Sequence, residues 1–296
     1  ENRDEIHEAL KGADMVFLTC GLGGGTGSGA SPVIAEVSRD SGALTIGVVT
    51  KPFNFEGVQR TRIAEDAWRE LRDRVDALIT IPNDRLLAVI GKDMPLLSAF
   101  AICDDVLRHA VQGISDLIVT PGIINVDFAD VRAIMRDTGS ALMGVGYGTG
   151  EDRAVAAAKA AINSPLLDIS IEGARGVLFN VSGGMDLTMW EINEAARVIT
   201  ESIDRDAKVI FGAVHDERLK KGEVKITVIA TGFPGGQGMT HMPLGKEEHA
   251  VEIKKTPISP APGLSGTEKT PLPSRQSPQQ ESDWDAIPAF LRRRGK

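Results

Sequence analysis

The stretch "CGLGGGTGSGASPVIAE", Cys20 to Glu36, puts glycine at positions 21, 23, 24, 25, 27 and 29. It joins an apolar run, "DMVFLTC", to a segment with helical periodicity, Val33, Ile34 and Val37 on one face. Glycine loses more backbone freedom on folding than any other residue, so a loop this bare must be held for a reason. A strand, a glycine loop and a helix amino end together make an anion site. Unpaired N–H groups and the helix dipole face the loop, and the missing side chains let a phosphate approach. The Walker pattern requires Lys-Ser/Thr after the last glycine, and no lysine is present here. A dinucleotide site wants an acidic residue closing the next strand, which here ends in Thr50-Lys51.

Outward from the loop, strand and helix patterns alternate. Ala43–Thr50 reads as a buried strand, Val58–Arg74 as an amphipathic helix and Val75–Asn83 as a strand. A long helix spans about Pro95 to Val119 and stops at Pro121-Gly122. A second αβ series follows: helix "DFADVRAIMRDTG", strand "ALMGVGYGTG", helix "DRAVAAAKAAINS", strand "ARGVLFNVSGG", helix "LTMWEINEAARVITESI" and strands "AKVIFGAV" and "EVKITVIATG". The expected fold is α/β: a Rossmann-like domain joined by a long central helix to a second α/β domain. The expected divisions are 1–93, the central helix 94–120, 121–232, a disordered linker 233–282 and a terminal peptide 283–296.

Composition narrows the class. Hydrophobic content of 42% and charged content of 25% are those of a globular protein. Aromatics make up 4% and the net charge is −8, which argues against stacking-based nucleic-acid binding and a basic footprint. Cys20 and Cys103 are too few for a disulfide framework, and no secretory signal is visible; the expected compartment is the cytoplasm. The chain starts within a helix pattern, Asp4 to Gly12, so elements upstream are expected. Pro234 to Ser282 is rich in proline and polar residues and is expected to be disordered. Beyond it Trp284, Ile287, Phe290 and Leu291 reappear beside Arg292, Arg293 and Arg294, the form of a recognition peptide.

Several segments carry a family resemblance. "GGGTGSG" (Gly23–Gly29) resembles the tubulin/FtsZ signature. "VVTKPFNFEGVQR", "ITIPNDRLL", "PGIINVDFADVRAIM" and "GEDRAVAAAKAAINSPLL" are similar to FtsZ rather than tubulin, and "DAIPAFLRRR" resembles the FtsZ tail peptide. The resemblance covers residues 1 to about 232 and the last dozen. It implies a bacterial cytoskeletal GTPase of the division ring, acting in the cytoplasm at mid-cell.

The resemblance also implies roles. Gly24, Gly25, Thr26 and Gly27 would cradle phosphates. Glu56 and Arg60 would contact ribose and nucleotide; their spacing also suits a plain intrahelical ion pair. Asn83 would read guanine, with a helix cap as the alternative. Asp105 would be the second guanine reader and Phe100 would stack on the base. Asp104 departs from the Asn-Asp found in many relatives. Asn125, Asp127 and Asp130 would act on the nucleotide of the next subunit, positioning the attacking water. The cofactors implied are GTP/GDP and Mg²⁺, the latter bound mainly through the phosphates. The partners are further copies of the chain, head to tail, and membrane-anchoring or regulatory division proteins at 283–296. Two other readings stay open from the residues: a dinucleotide-dependent oxidoreductase, which leaves "NVDFAD" unexplained, and a nucleotide-binding scaffold without turnover because its N-terminal part is missing.

Overall fold

The computed structural model describes residues 2–87, 94–120, 122–167 and 170–233. The expected linker from 234 and the peptide 283–296 lie outside them.

Helix α1 (Arg3–Leu10) leads into strand β1 (Met15–Gly21), helix α2 (Gly25–Asp40) and strand β2 (Leu44–Lys51). A single 3-10 turn at Asn54–Glu56 precedes helix α3 (Val58–Arg72) and strand β3 (Ala77–Pro82). Helix α4 (Asn83–Leu87) is short, and helix α5 (Leu96–Val119) is the long central one. Then come α6 (Phe128–Met135), β4 (Gly139–Thr149), α7 (Arg153–Ile162), β5 (Gly176–Gly183), α8 (Met189–Thr200), β6 (Lys208–His215) and β7 (Glu223–Thr231).

The two αβ series share one seven-stranded sheet, in the order β1-β2-β3-β4-β7-β5-β6. Strands β1 to β4 run parallel, and β7 inserts antiparallel between β4 and β5. Alternation along the sequence predicted strands and helices but not this shared sheet. The join is narrow. Gly139, Ser140 and Ala141 of β4 pair with β3, and Leu142 to Thr149 pair with β7.

Burial follows the two-residue period of the strands. Val48, Ile79, Met143, Leu178 and Ile229 pack on Ala110, Ile114 and Leu117 of α5 and Val131 and Met135 of α6. The opposite face of β2 and β3 packs on Ala35, Ala64, Ala67, Trp68 and Leu71 of α2 and α3. The opposite face of β5 and β7 packs on the alanines of α7 and on Ile192, Ala195 and Ile199 of α8. The glycine loop lies at the carboxyl edge of β1, where ligands of open α/β sheets bind. Among the described residues no helix is long and apolar enough to cross a membrane.

Candidate nucleotide site

The glycine run builds the start of α2. Gly24 caps it in an extended conformation, and Gly25, Thr26 and Gly27 form its first turn. The helix therefore begins inside the motif, earlier than the apolar periodicity predicts. Gly23 turns the chain at φ 97°, and a Cβ there would strike Arg60. A side chain on Gly27 would land on the Gly21 carbonyl, so that glycine lets α2 sit against the end of β1. Gly24 and Gly25 have nothing within 4 Å of a virtual Cβ. Gly25 and Thr26 are exposed, and the Thr26 hydroxyl has no hydrogen bond among the described residues. These two turn residues thus face open space with the N-terminal dipole of a 16-residue helix behind them. Ser28, which the sequence reading did not single out, accepts from the Gly23 N–H at 2.9 Å and fixes the loop. Its place inside the motif was the available signal.

A second group forms beside it. Glu56 accepts from the Phe53 N–H at 2.9 Å and pairs with Arg60 Nε at 3.0 Å. The ion pair envisaged as the plainer alternative is therefore formed, though it joins the 3-10 turn to α3 rather than lying within one helix, with Arg60 half exposed beside Gly23. The Asp84 carboxylate accepts from the Asn54 N–H at 3.0 Å, tying α4 to the same turn.

Asn83 opens α4 and is 7% exposed, yet its Oδ1 has no hydrogen-bond partner among the described residues. The amide oxygen does not cap the helix. A buried acceptor left unpaired costs about 1–3 kcal/mol, which a donor from a ligand would recover. Phe100, 38% exposed, sits edge-on to buried Phe53, which in turn stacks on Phe55.

Asp105, expected as the second base contact, is exposed on α5. It is turned round α5 onto Arg108 at 2.9 Å, and this hydrogen bond holds its carboxyl below the usual range. The residue one turn on from Phe100 is Asp104. Burial first, then the charges of Asp104 and Glu56, push the Cys103 thiol up to about 11. The i, i+4 relation to Phe100 would have singled out Asp104 in the sequence.

Asn125, Asp127 and Asp130 lie past the other end of α5. Asn125 Oδ1 accepts from the Gly122 N–H at 2.7 Å, and Asp127 caps α6 by accepting from the Ala129 N–H at 3.2 Å. Asp130 is exposed, and its carboxylate has no partner among the described residues. The cap alternative thus accounts for Asp127 and leaves Asp130 open. The 24 residues of α5 span about 36 Å at 1.5 Å each, so these side chains stand far from the group around Phe100 in the same chain.

Comparison with known proteins agrees with this layout. Residues 1–91 match the model of the tubulin/FtsZ family GTPase domain, and residues 139–234 match the FtsZ family C-terminal domain. An empty FtsZ dimer from M. jannaschii is similar at 45% identity and TM-score 0.75, over 78% of this chain and 67% of that one. A point mutant of FtsZ from the same source matches at 45% identity and TM-score 0.76, over 79% and 70%. CetZ from Methanosaeta thermophila, at 20% identity and TM-score 0.63 over 79% and 66%, shares the fold. With both halves matched in order and the signature loop at the head of α2, the chain belongs to the FtsZ family of the tubulin/FtsZ GTPases.

Proposed function

We propose that the chain binds GTP and GDP on the glycine turn and hydrolyses GTP at a contact between two copies, as a filament-forming protein of the cytoplasmic division ring. Gly24, Gly25, Thr26 and Gly27 hold the phosphates with N–H groups and a hydroxyl. Glu56 and Arg60 border the ribose. Asn83 accepts from the guanine edge through its unpaired Oδ1, Phe100 stacks on the base, and Asp104, rather than Asp105, is the second reader. Mg²⁺ would enter with the nucleotide and neutralise its phosphates; the described residues include no group of three or more metal-ligating side chains. Residues 283–296 would recruit membrane-anchoring or regulatory division proteins.

The reading rests on the two ends of α5. The open glycine turn and the orphaned Asn83 oxygen lie toward one end, and the unpaired Asp130 lies past the other. A single copy cannot bring them together across about 36 Å, whereas head-to-tail stacking would. Such a heterologous contact does not close, and it propagates as a filament. Apolar side chains exposed toward both ends suit the contact: Phe55, Val58 and Leu97 on one side, Val119 and Ile123 on the other. Asn125, Asp127 and Asp130 would then position and polarise the attacking water over the neighbour's nucleotide, where charge placement supplies most of the catalysis.

The test is GTP turnover by the full-length protein across a dilution series. Specific activity should climb with concentration. A flat profile, down to concentrations at which only monomer exists, would mean a complete site in one chain and would end this reading.

A further inference from the structure

A polar cavity of about 100 Å³ opens at the edge of the sheet where β2 and β3 begin, opposite the glycine turn. Its walls carry Arg39 from the last turn of α2, Arg132 from α6, Arg136 just past the end of α6, and Asp76 just before β3. Nothing in the nucleotide reading uses these residues. At about 3.3 Å per residue, the eight residues of β2 separate the two edges by about 26 Å.

The charges in this cavity are unevenly paired. Arg39 is matched: it donates to Asp137 at 2.6 Å and stands 3.9 Å from buried Asp76. Asp76 also accepts from the Thr45 N–H at 2.8 Å. Arg136 is exposed and among the described residues reaches only Asp137, at 3.8 Å, a carboxylate already held more closely by Arg39. Arg132 has no carboxylate within salt-bridge distance among the described residues. It donates to the Gly42 carbonyl at 3.0 Å and lies over the Phe128 ring. Its Nε is buried without a partner among the described residues. Three guanidiniums thus face two carboxylates, and the unmatched one is partly desolvated. A desolvated cation without a counter-charge is costly, and the guanidinium fork is shaped for an oxyanion.

We propose that this cavity is a binding site for a small oxyanion, held between Arg132 and Arg136 with Arg39 behind. Its volume suits one phosphate-sized group and is too small for a nucleoside. The same chemistry has two sources: a free phosphate, or the carboxylate of an acidic side chain from another protein.

The experiment is a titration of the GDP-saturated full-length protein with sodium phosphate. It is read by thermal unfolding and calorimetry, with sodium chloride at equal ionic strength as reference. A saturable rise in Tm beyond that of chloride is expected, and Arg136→Gln should weaken phosphate binding at least tenfold. Arg136 is exposed, so that variant keeps the fold; Arg132→Gln should do the same if it folds. Thr26→Ala should leave phosphate binding unchanged. Sodium acetate distinguishes the sources: an equal rise marks a carboxylate site, and none marks a phosphate site. A rise no larger than that of chloride, a rise retained in Arg136→Gln, or one lost in Thr26→Ala would overturn the proposal.

Discussion

The ring of Phe100 meets the ring of Phe53 edge-on, with centroids 5.6 Å apart and planes at 79°. Phe53 is fully buried on the turn after β2, and Phe100 is 38% exposed near the start of α5. The buried ring fixes the tilt of the open one. On α5 the helical repeat puts Asp104 one turn on from Phe100, on the same face, while Asp105 is not. Asp104→Ala should therefore reduce the preference for GTP over ATP at least tenfold, and Asp105→Ala should leave it within about twofold, a single guanine contact being worth about 1–3 kcal/mol. Competition binding with both nucleotides checks this, and the reverse order would return the role to Asp105.

Asn83→Ala should separate recognition from folding. Its Oδ1 has no hydrogen-bond partner among the described residues, so stability should change by no more than about 1 kcal/mol. GTP affinity should fall about tenfold or more. Urea unfolding alongside GTP titration reads both. A large loss of stability with unchanged affinity would make Asn83 a structural residue.

The glycines of one motif should behave differently. Gly27→Ala drives a methyl into the Gly21 carbonyl and should destabilise the fold by about 1–3 kcal/mol or more. Gly25→Val has open space around it and should fold normally, yet obstruct the phosphates. Denaturant midpoints and GTP affinities for the two variants should rank in opposite orders.

Asp130→Ala should leave GTP affinity unchanged and lower turnover about 100-fold or more, because only positioning over a neighbour's nucleotide is lost. Mixing it with Gly25→Val should restore part of the activity. One variant brings an intact nucleotide face and the other an intact acidic loop. Mixtures no more active than the separate proteins would argue against a shared site.

Asp216 gives a pH test of the second half of the fold. The Arg218 side chain donates to it at 2.8 Å and, with Lys225 at 3.4 Å, brings its carboxyl down to about 2 from 3.8. A carboxyl depressed in the folded state stabilises above its unfolded pKa and loses that contribution as pH falls through its folded pKa. Asp216→Asn should therefore cost about 2 kcal/mol at pH 7, with the difference shrinking below pH 4 and vanishing near pH 2. Urea unfolding at pH 7, 4 and 2.5 should show this narrowing, and a difference independent of pH would assign the loss to packing.

Much of this architecture was legible in the residues. The apolar strands ending at glycine, the amphipathic Val58–Arg72 and the stop at Pro121-Gly122 all carry periodicities that local sequence expresses. The start of α2 was not, because glycine has the poorest helix propensity after proline, and tertiary contact with β1 holds it. The antiparallel entry of β7 was equally hidden, since its pairing with β4 and β5 is set by partners far away in the chain. In the candidate site, the loop and Asn83 stand in short contiguous motifs that the sequence displays. The facing of Asp104 and Asp105 depends on the rotation of α5, fixed by its packing on both series of strands.

The three-residue seam between β3 and β4 has a consequence for how the molecule opens. Each side of that seam has its own strand pairings and its own buried cluster. The core beneath α5 and α6 draws on both. Amide protons on the two sides can therefore exchange in two separate cooperative steps, the second series holding its protection while β1 to β3 open. α5, seated across both, reports on whichever side has come apart.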